Sequence, residues 1–124
     1  MKIIELKKKV KGEMDKMRMW NVNPKIMCNK HLLGEHLEMH MFIGCIVKKK
    51  SIQGYIDKGL VEVDNIIERH DSLVEEMKTR KMNHTTPIDN KVKLWVEGYV
   101  NVEMNEIILK ERCKMCTRLQ NEEE

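Results

Sequence analysis

The sequence predicts an all-α protein, a compact single-domain helical bundle, on three observations. Apolar residues recur at helical spacing in several stretches, no stretch keeps the strict alternation of a half-buried strand, and proline-bearing breaks separate the periodic segments. With 124 residues, 41% of them hydrophobic, the chain supports one domain with a modest core.

In order, residues 1–16 read as an amphipathic helix, with Ile3, Leu6, Val10 and Met14 on one side and Gly12 weakening it. "NVNP" (21–24) breaks the pattern, because Pro24 restrains its own backbone and pushes Asn23 out of the helical region. A second helix should begin near Lys25 or Asn29 and run to about Lys49. Gly34 and Gly44 each cost it about 1 kcal/mol, and such glycines often mark the close approach of a neighbour. "SIQGYIDKGL" (51–60) is a loop or short helix. Residues 61–82 give the clearest helix, with Val63, Ile66, Ile67, Leu73, Val74 and Met77 on one side and Asp64 as its expected cap. "NHTTPIDN" (83–90) is a turn-rich connection. After "VKLWVEGYVN", a last helix from about Val102 to Leu119 carries Met104, Ile107, Ile108 and Met115. The expected organisation is an N-terminal extension (1–16), a helical domain (17–120) and an acidic tail (121–124).

The formal charge of +3 rises by three, to +6, when Glu122, Glu123 and Glu124 are set aside, so the body suits an anionic partner. The runs "KKKVK" (7–11) and "KKK" (48–50) would attract phosphates in a salt-sensitive way, although lysine clusters are more often solvated surface. The chain has no alanine and 11 methionines, a bias that fits an AT-rich genome. No run of 18 apolar residues and no secretory signal is present, so the expectation is an intracellular protein with no membrane contact. Four cysteines in such a chain read as reduced thiols.

The chemistry concentrates in "HLLGEHLEMH" (31–40). His36 and His40, or His31 and Glu35, are helical neighbours able to share a metal. The order is not His-Glu-x-x-His and no companion motif completes a site, so neither a metal nor a cofactor is assigned. His31, Glu35 and Glu38 share another face, with Leu32, Leu33, Met39 and Phe42 for packing. A carboxylate held beside a histidine and apolar groups can act as an acid, a base or a partner for a developing cation, against the commoner outcome of a solvated acid. Cys113 and Cys116 form a lone C-x-x-C, and a zinc site there would need two more ligands from places such as Cys28, Cys45 or His84. His70 and Asp71 could orient a phosphate, though a capping or surface role is the commoner one. Trp20 and Trp95 could wedge into DNA, but core packing is the better expectation.

The blocks "MRMWNVNPKIMCNKHLLGEHLEMH" (17–40) and "ERHDSLVEEMKTRKMNHTTPI" (68–88), with "LKERCKMCTRL" (109–119), resemble the pyrimidine-dimer DNA glycosylases of the phage endonuclease V type. The resemblance implies an all-α fold that grips duplex DNA and flips a base from the stack. An N-terminal α-amine then attacks the sugar C1′, and the resulting Schiff base permits strand cleavage, which is DNA-repair glycosylase and AP lyase chemistry. An α-amine suits that role because it is partly unprotonated near neutral pH. By motif position Glu38 is the implied catalytic carboxylate and His31 the histidine that begins its helix. Arg18, Lys30, Arg69, His70, Arg80 and His84 are the expected DNA contacts.

Two departures stand out. The position of the family's nucleophilic amine is Met17, preceded by sixteen residues, so a lysine such as Lys16 or Lys25 is a candidate substitute. The arginines that accompany the catalytic glutamate are replaced by Leu37 and Met41, leaving Lys30, Arg69, Lys78, Arg80 and Lys81 to grip phosphates. The competing expectation is a non-catalytic descendant, a viral structural or DNA-packaging protein that contacts other virion proteins through residues 1–16 in a viral particle or infected host cell.

Overall fold

The structure is a computed structural model that describes residues 17–83 and 86–123, the side chains of 122 and 123 excepted. The expected 1–16 helix with its basic run and Lys16, together with His84, falls outside the described residues, as does Glu124 of the acidic tail. Among the described residues the regular structure is helical, with no strand.

Helix α1 spans Asn29–Val47 and follows a single 3₁₀ turn at Pro24–Ile26. Both candidate starting points of the second helix therefore have a physical counterpart. Proline opens the turn, where its missing N–H costs nothing, and Asn23 Oδ1 accepts the Lys25 N–H at 3.0 Å. A short helix α2 (Gln53–Asp57) and a second 3₁₀ turn (Val63–Asn65) lead into α3 (Ile66–Thr79). The expected cap, Asp64, lies inside that 3₁₀ turn. Asn65 occupies the capping position instead, and its side-chain amide donates to Glu62 Oε1 at 2.6 Å rather than capping the helix.

Helices α1 and α3 pack on each other and form the centre of the fold. The face of α1 that enters the core carries Leu32, Glu35, Met39, Phe42 and Ile43. That of α3 carries Ile66, Arg69, His70, Leu73, Val74 and Met77, matching the apolar side read from spacing with two polar residues added. Residues 17–22 run through this core without regular structure, Asn21 at φ +57°, burying Met17, Met19, Trp20 and Val22. The Met19 N–H donates to the Leu60 carbonyl at 2.7 Å. Burying these aliphatic, thioether and indole side chains is the main stabilising term, at about 1.5–3 kcal/mol for each large apolar side chain.

The segment before α4 lies against residues 61–63, where the Val63 N–H donates to the Glu97 carbonyl at 2.9 Å and the Val100 N–H to Glu62 Oε2 at 2.8 Å. Gly98 makes that approach possible. Its φ is +95°, and a Cβ there would sit 2.2 Å from the Val61 carbonyl oxygen. Gly34 and Gly44, by contrast, face no close neighbour, so the expectation that they mark a tight approach does not hold.

The predicted last helix is two helices, α4 (Val102–Arg112) and α5 (Lys114–Glu123). Asn101 Oδ1 caps α4 by accepting the Met104 N–H at 3.0 Å. Cys113 is extended, with φ −136° and ψ 113°, and turns the chain. The inward face is also not the predicted one. Met104, Ile107 and Met115 are exposed, while Asn105, Leu109 and Cys116 are buried. On this face the Asn105 side-chain amide donates to the Trp20 carbonyl at 2.7 Å and its Oδ1 accepts from Arg18 at 2.7 Å. These two hydrogen bonds, of about 1 kcal/mol each, tie this face of α4 to residues 17–22 beside the buried Leu109. No helix among the described residues is long and apolar enough to cross a membrane.

Candidate functional site

The face of α1 that carries His31, Glu35 and Glu38 divides into three environments. Glu35 is fully buried and paired with Arg69 of α3. Arg69 Nε donates to Glu35 Oε2 at 2.6 Å and Nη2 to Oε1 at 2.8 Å, a bidentate pair. Arg69 Nη1 donates to the Val22 carbonyl at 2.6 Å, and the Asn21 N–H approaches Glu35 Oε2 at 3.4 Å. A buried pair of this kind ties residues 17–22, α1 and α3 into one register. Arg69, expected among the phosphate contacts, is thus engaged by Glu35 and the Val22 carbonyl, and it also lines a cleft of about 280 Å³ with Asn21, Asn65, Glu68 and Ser72.

Glu38 lies one turn further along α1 and is only partly buried. Met41 and Cys45, three and seven residues on, share its side of the helix. Both line a cleft of about 310 Å³ together with Met17, Gly44, Lys48, Lys50 and Tyr55. Burial pushes the Tyr55 phenol above its ordinary value, and negative charge at Cys45 and Glu38 pushes the same way. The cleft thus joins Met17, a phenol and two lysines, and Glu38 lies on α1 one and two turns before the Met41 and Cys45 that line it. Sequence reading did not anticipate Tyr55 here, and it offered Lys48 and Lys50 as phosphate attractors or solvated surface without placing them beside Met17. Nothing in the spacing of residues 48–55 signals a return toward Met17. Lys25, offered as a substitute amine, lies elsewhere, in a cleft of about 500 Å³ bordered by Asn29, Glu76, Arg80 and Met115.

The other expected DNA contacts fall into two groups. Lys30, Lys78 and Lys81 are exposed. Arg18 is half-buried, stacked 4.2 Å over the Trp20 ring and bonded to Asn105. Arg80 is held by Glu76 Oε2 at 2.9 Å, Asn29 Oδ1 at 2.9 Å and the Pro24 carbonyl at 3.1 Å. Its first role is to fasten α3 to the Pro24–Ile26 turn. Trp20 packs in the core as expected, whereas Trp95 is 42% exposed and its indole donates to Glu97 Oε1 at 2.7 Å.

The expectation that no ligand set could be completed does not hold. His70 of α3 packs between His36 and His40 of α1, with ring centroids 4.8–5.0 Å apart. His70 Nδ1 lies 2.9 Å from Asp71 Oδ1, so its other ring nitrogen is directed by that carboxylate. His70 is buried and has no path to a phosphate. At the start of α1, His31 meets three cysteines instead of Glu38. Cys28, His31, Cys113 and Cys116 offer ligand atoms that all lie within 4.8 Å of one another. Burial lowers the His31 pKa, reinforced by the positive charges of Lys30 and Arg112, and favours the neutral ring. Among the described residues, the lone C-x-x-C of the sequence thus meets Cys28 and His31 and not Cys45, and His84 lies outside those residues. All four cysteines are reduced, as expected.

Comparison with curated proteins and with solved structures gave no match. A family model described as pyrimidine dimer DNA glycosylase matches residues 17–90, more than half of the chain. The match begins at Met17, which borders the cleft, and spans α1, α2 and α3, the elements that carry Glu35, Glu38, Tyr55 and Arg69. The chain therefore belongs to the pyrimidine dimer DNA glycosylase family, with an all-α fold and a glycosylase-like role on DNA.

Proposed function

We propose that the protein removes a damaged or modified base from duplex DNA and cleaves the strand at the resulting sugar, using the cleft between Met17 and α1. The observation that carries this reading is the convergence of Met17, where the family match begins, with the Glu38 face of α1. In this reading an amine attacks the sugar C1′ as the base departs, and Glu38 handles protons and stabilises positive charge on the sugar. The peptide nitrogen of Met17 is an amide in the full chain and lacks the nucleophilic lone pair. The amine is then the α-amine of a chain that begins at Met17, or the side chain of Lys48 or Lys50. Those two lysines also stand in for the arginines absent at positions 37 and 41, as phosphate contacts beside the flipped nucleotide.

The test is incision of duplex DNA carrying a pyrimidine dimer or an abasic site. The wild-type protein should cleave, and Glu38→Gln should lower the rate by about 10²–10⁴-fold, the usual share of a positioned acid or base. Unchanged incision by Glu38→Gln would remove that residue from the mechanism. A non-catalytic reading is favoured by one observation: Leu33, Leu37 and Met41 form an exposed apolar stripe along α1. Such a stripe suits contact with another macromolecule, and this reading predicts binding without incision.

A further inference from the structure

We infer that Cys28, His31, Cys113 and Cys116 form a closed tetrahedral zinc site that clips α4 and α5 onto the start of α1. Four potential ligands from two distant parts of the chain converge there, in the paired spacings C-x₂-H and C-x₂-C. Cys28 Sγ is 3.2 Å from His31 Nδ1 and 3.8 Å from Cys113 Sγ, and Cys116 Sγ is 3.6 Å from His31 Nδ1. In a tetrahedron with Zn–S of about 2.3 Å and Zn–N of about 2.05 Å, adjacent sulfurs lie about 3.8 Å apart and a sulfur and a nitrogen about 3.6 Å. The separations are those of ligands around one small ion, with the Cys28–His31 edge compressed.

The surroundings suit thiolates bound to a cation. The Cys28 N–H donates to Cys116 Sγ at 3.2 Å and the Cys116 N–H to Cys113 Sγ at 3.5 Å, both able to stabilise negative sulfur. Three thiolates and one Zn²⁺ leave a net charge of −1, and Lys30 and Arg112 supply positive charge close by. Cys28 and Cys116 are buried, as in a structural site closed to water. A mixed set of three sulfurs and one imidazole, tetrahedrally disposed, selects zinc over hard cations.

The site also bears on the turn between α4 and α5. The helix predicted over 102–119 breaks at Cys113, although residues 109–117 contain neither proline nor glycine. The extended backbone at Cys113 brings its sulfur to Cys28. Because the family match ends at residue 90, the clip joins matched and unmatched parts of the chain.

The test is metal analysis of the full-length protein, purified in reductant without chelator, followed by anaerobic exchange with cobalt. The expected result is one zinc per chain at this site. Its cobalt form should show intense tetrahedral visible bands and thiolate-to-cobalt charge transfer in the near ultraviolet. Cys113→Ser/Cys116→Ser should abolish the charge-transfer bands, whereas Cys45→Ser, outside the cluster, should keep them. Should the double variant fail to fold, the wild-type cobalt spectrum and the release of one zinc on titrating its thiols with a mercurial decide the matter. Overturning results are absence of zinc with no cobalt uptake, or a Cys28–Cys113 disulfide persisting in reductant. A cobalt spectrum without thiolate bands would overturn it too, placing the ion at His36, His40 and His70 instead.

Discussion

The Glu35–Arg69 pair gives the sharpest stability prediction. Glu35→Gln keeps the side-chain volume and one oxygen acceptor but removes the negative charge that balances Arg69 in the core and turns an NH2 donor toward the guanidinium. Removing one partner of a buried ion pair costs about 3–5 kcal/mol, because the other charge stays desolvated. Against a total of about 5–15 kcal/mol for a domain, that is a large fraction. It should lower Tm by roughly 10–20 °C for a chain of this length. Arg69→Met should cost a similar amount, since the carboxylate is then left with the Asn21 N–H at 3.4 Å. The double variant Glu35→Leu/Arg69→Met replaces the pair by apolar groups of comparable volume, so its cost should fall short of the sum by about 2–3 kcal/mol. Urea unfolding with linear extrapolation reads all four proteins, and the slope m should stay constant. Additive costs, or a loss below about 1 kcal/mol in Glu35→Gln, would refute the view that this pair holds the register of α1, α3 and residues 17–22.

Three further outcomes are expected. Glu38→Gln should leave stability within about 0.5 kcal/mol of the wild type, since the side chain is partly exposed and outside the buried pair; measured beside Glu35→Gln, it separates the chemical glutamate from the structural one. Gly98→Ala should destabilise by at least about 1–2 kcal/mol from the positive φ alone, with more from the Val61 contact, whereas Gly34→Ala should stabilise α1 by about 0.5–1 kcal/mol, both read from thermal melts. Lys48→Ala/Lys50→Ala should weaken binding to undamaged duplex and reduce the slope of log K against log salt by about 2, one unit for each lost phosphate contact; an unchanged slope would take these lysines out of the DNA interface.

The helical class, the α3 core face and the placement of α1 were legible because apolar periodicity carries them directly. The inward face of α4 was not, since the chain turns at Cys113 and a polar residue, Asn105, is buried there with Leu109, while Met104 and Ile107 stay exposed. Pairings between distant residues leave no trace in local spacing. Glu35 with Arg69, His70 with His36 and His40, and Cys28 and His31 with Cys113 and Cys116 become visible only when the helices are docked. Glu38 could be singled out from its motif, but the cleft beside it depends on Lys48, Lys50 and Tyr55 folding back toward Met17. Arg69 and His70, expected among the DNA contacts from their residue types, are both largely buried, a placement that residue type alone does not reveal.

The central claim is an amine acting at the Met17 cleft, and borohydride trapping on DNA tests it most directly. The full-length protein and a version beginning at Met17 would each be incubated with duplex carrying a pyrimidine dimer or an abasic site, then reduced. The account predicts a covalent protein–DNA adduct, with peptide mapping that places the DNA on the Met17 α-amine in the shorter protein, or on Lys48 or Lys50 in either. Absence of adduct from both proteins, with DNA binding intact, would contradict it and leave a family fold that binds DNA without the family's chemistry.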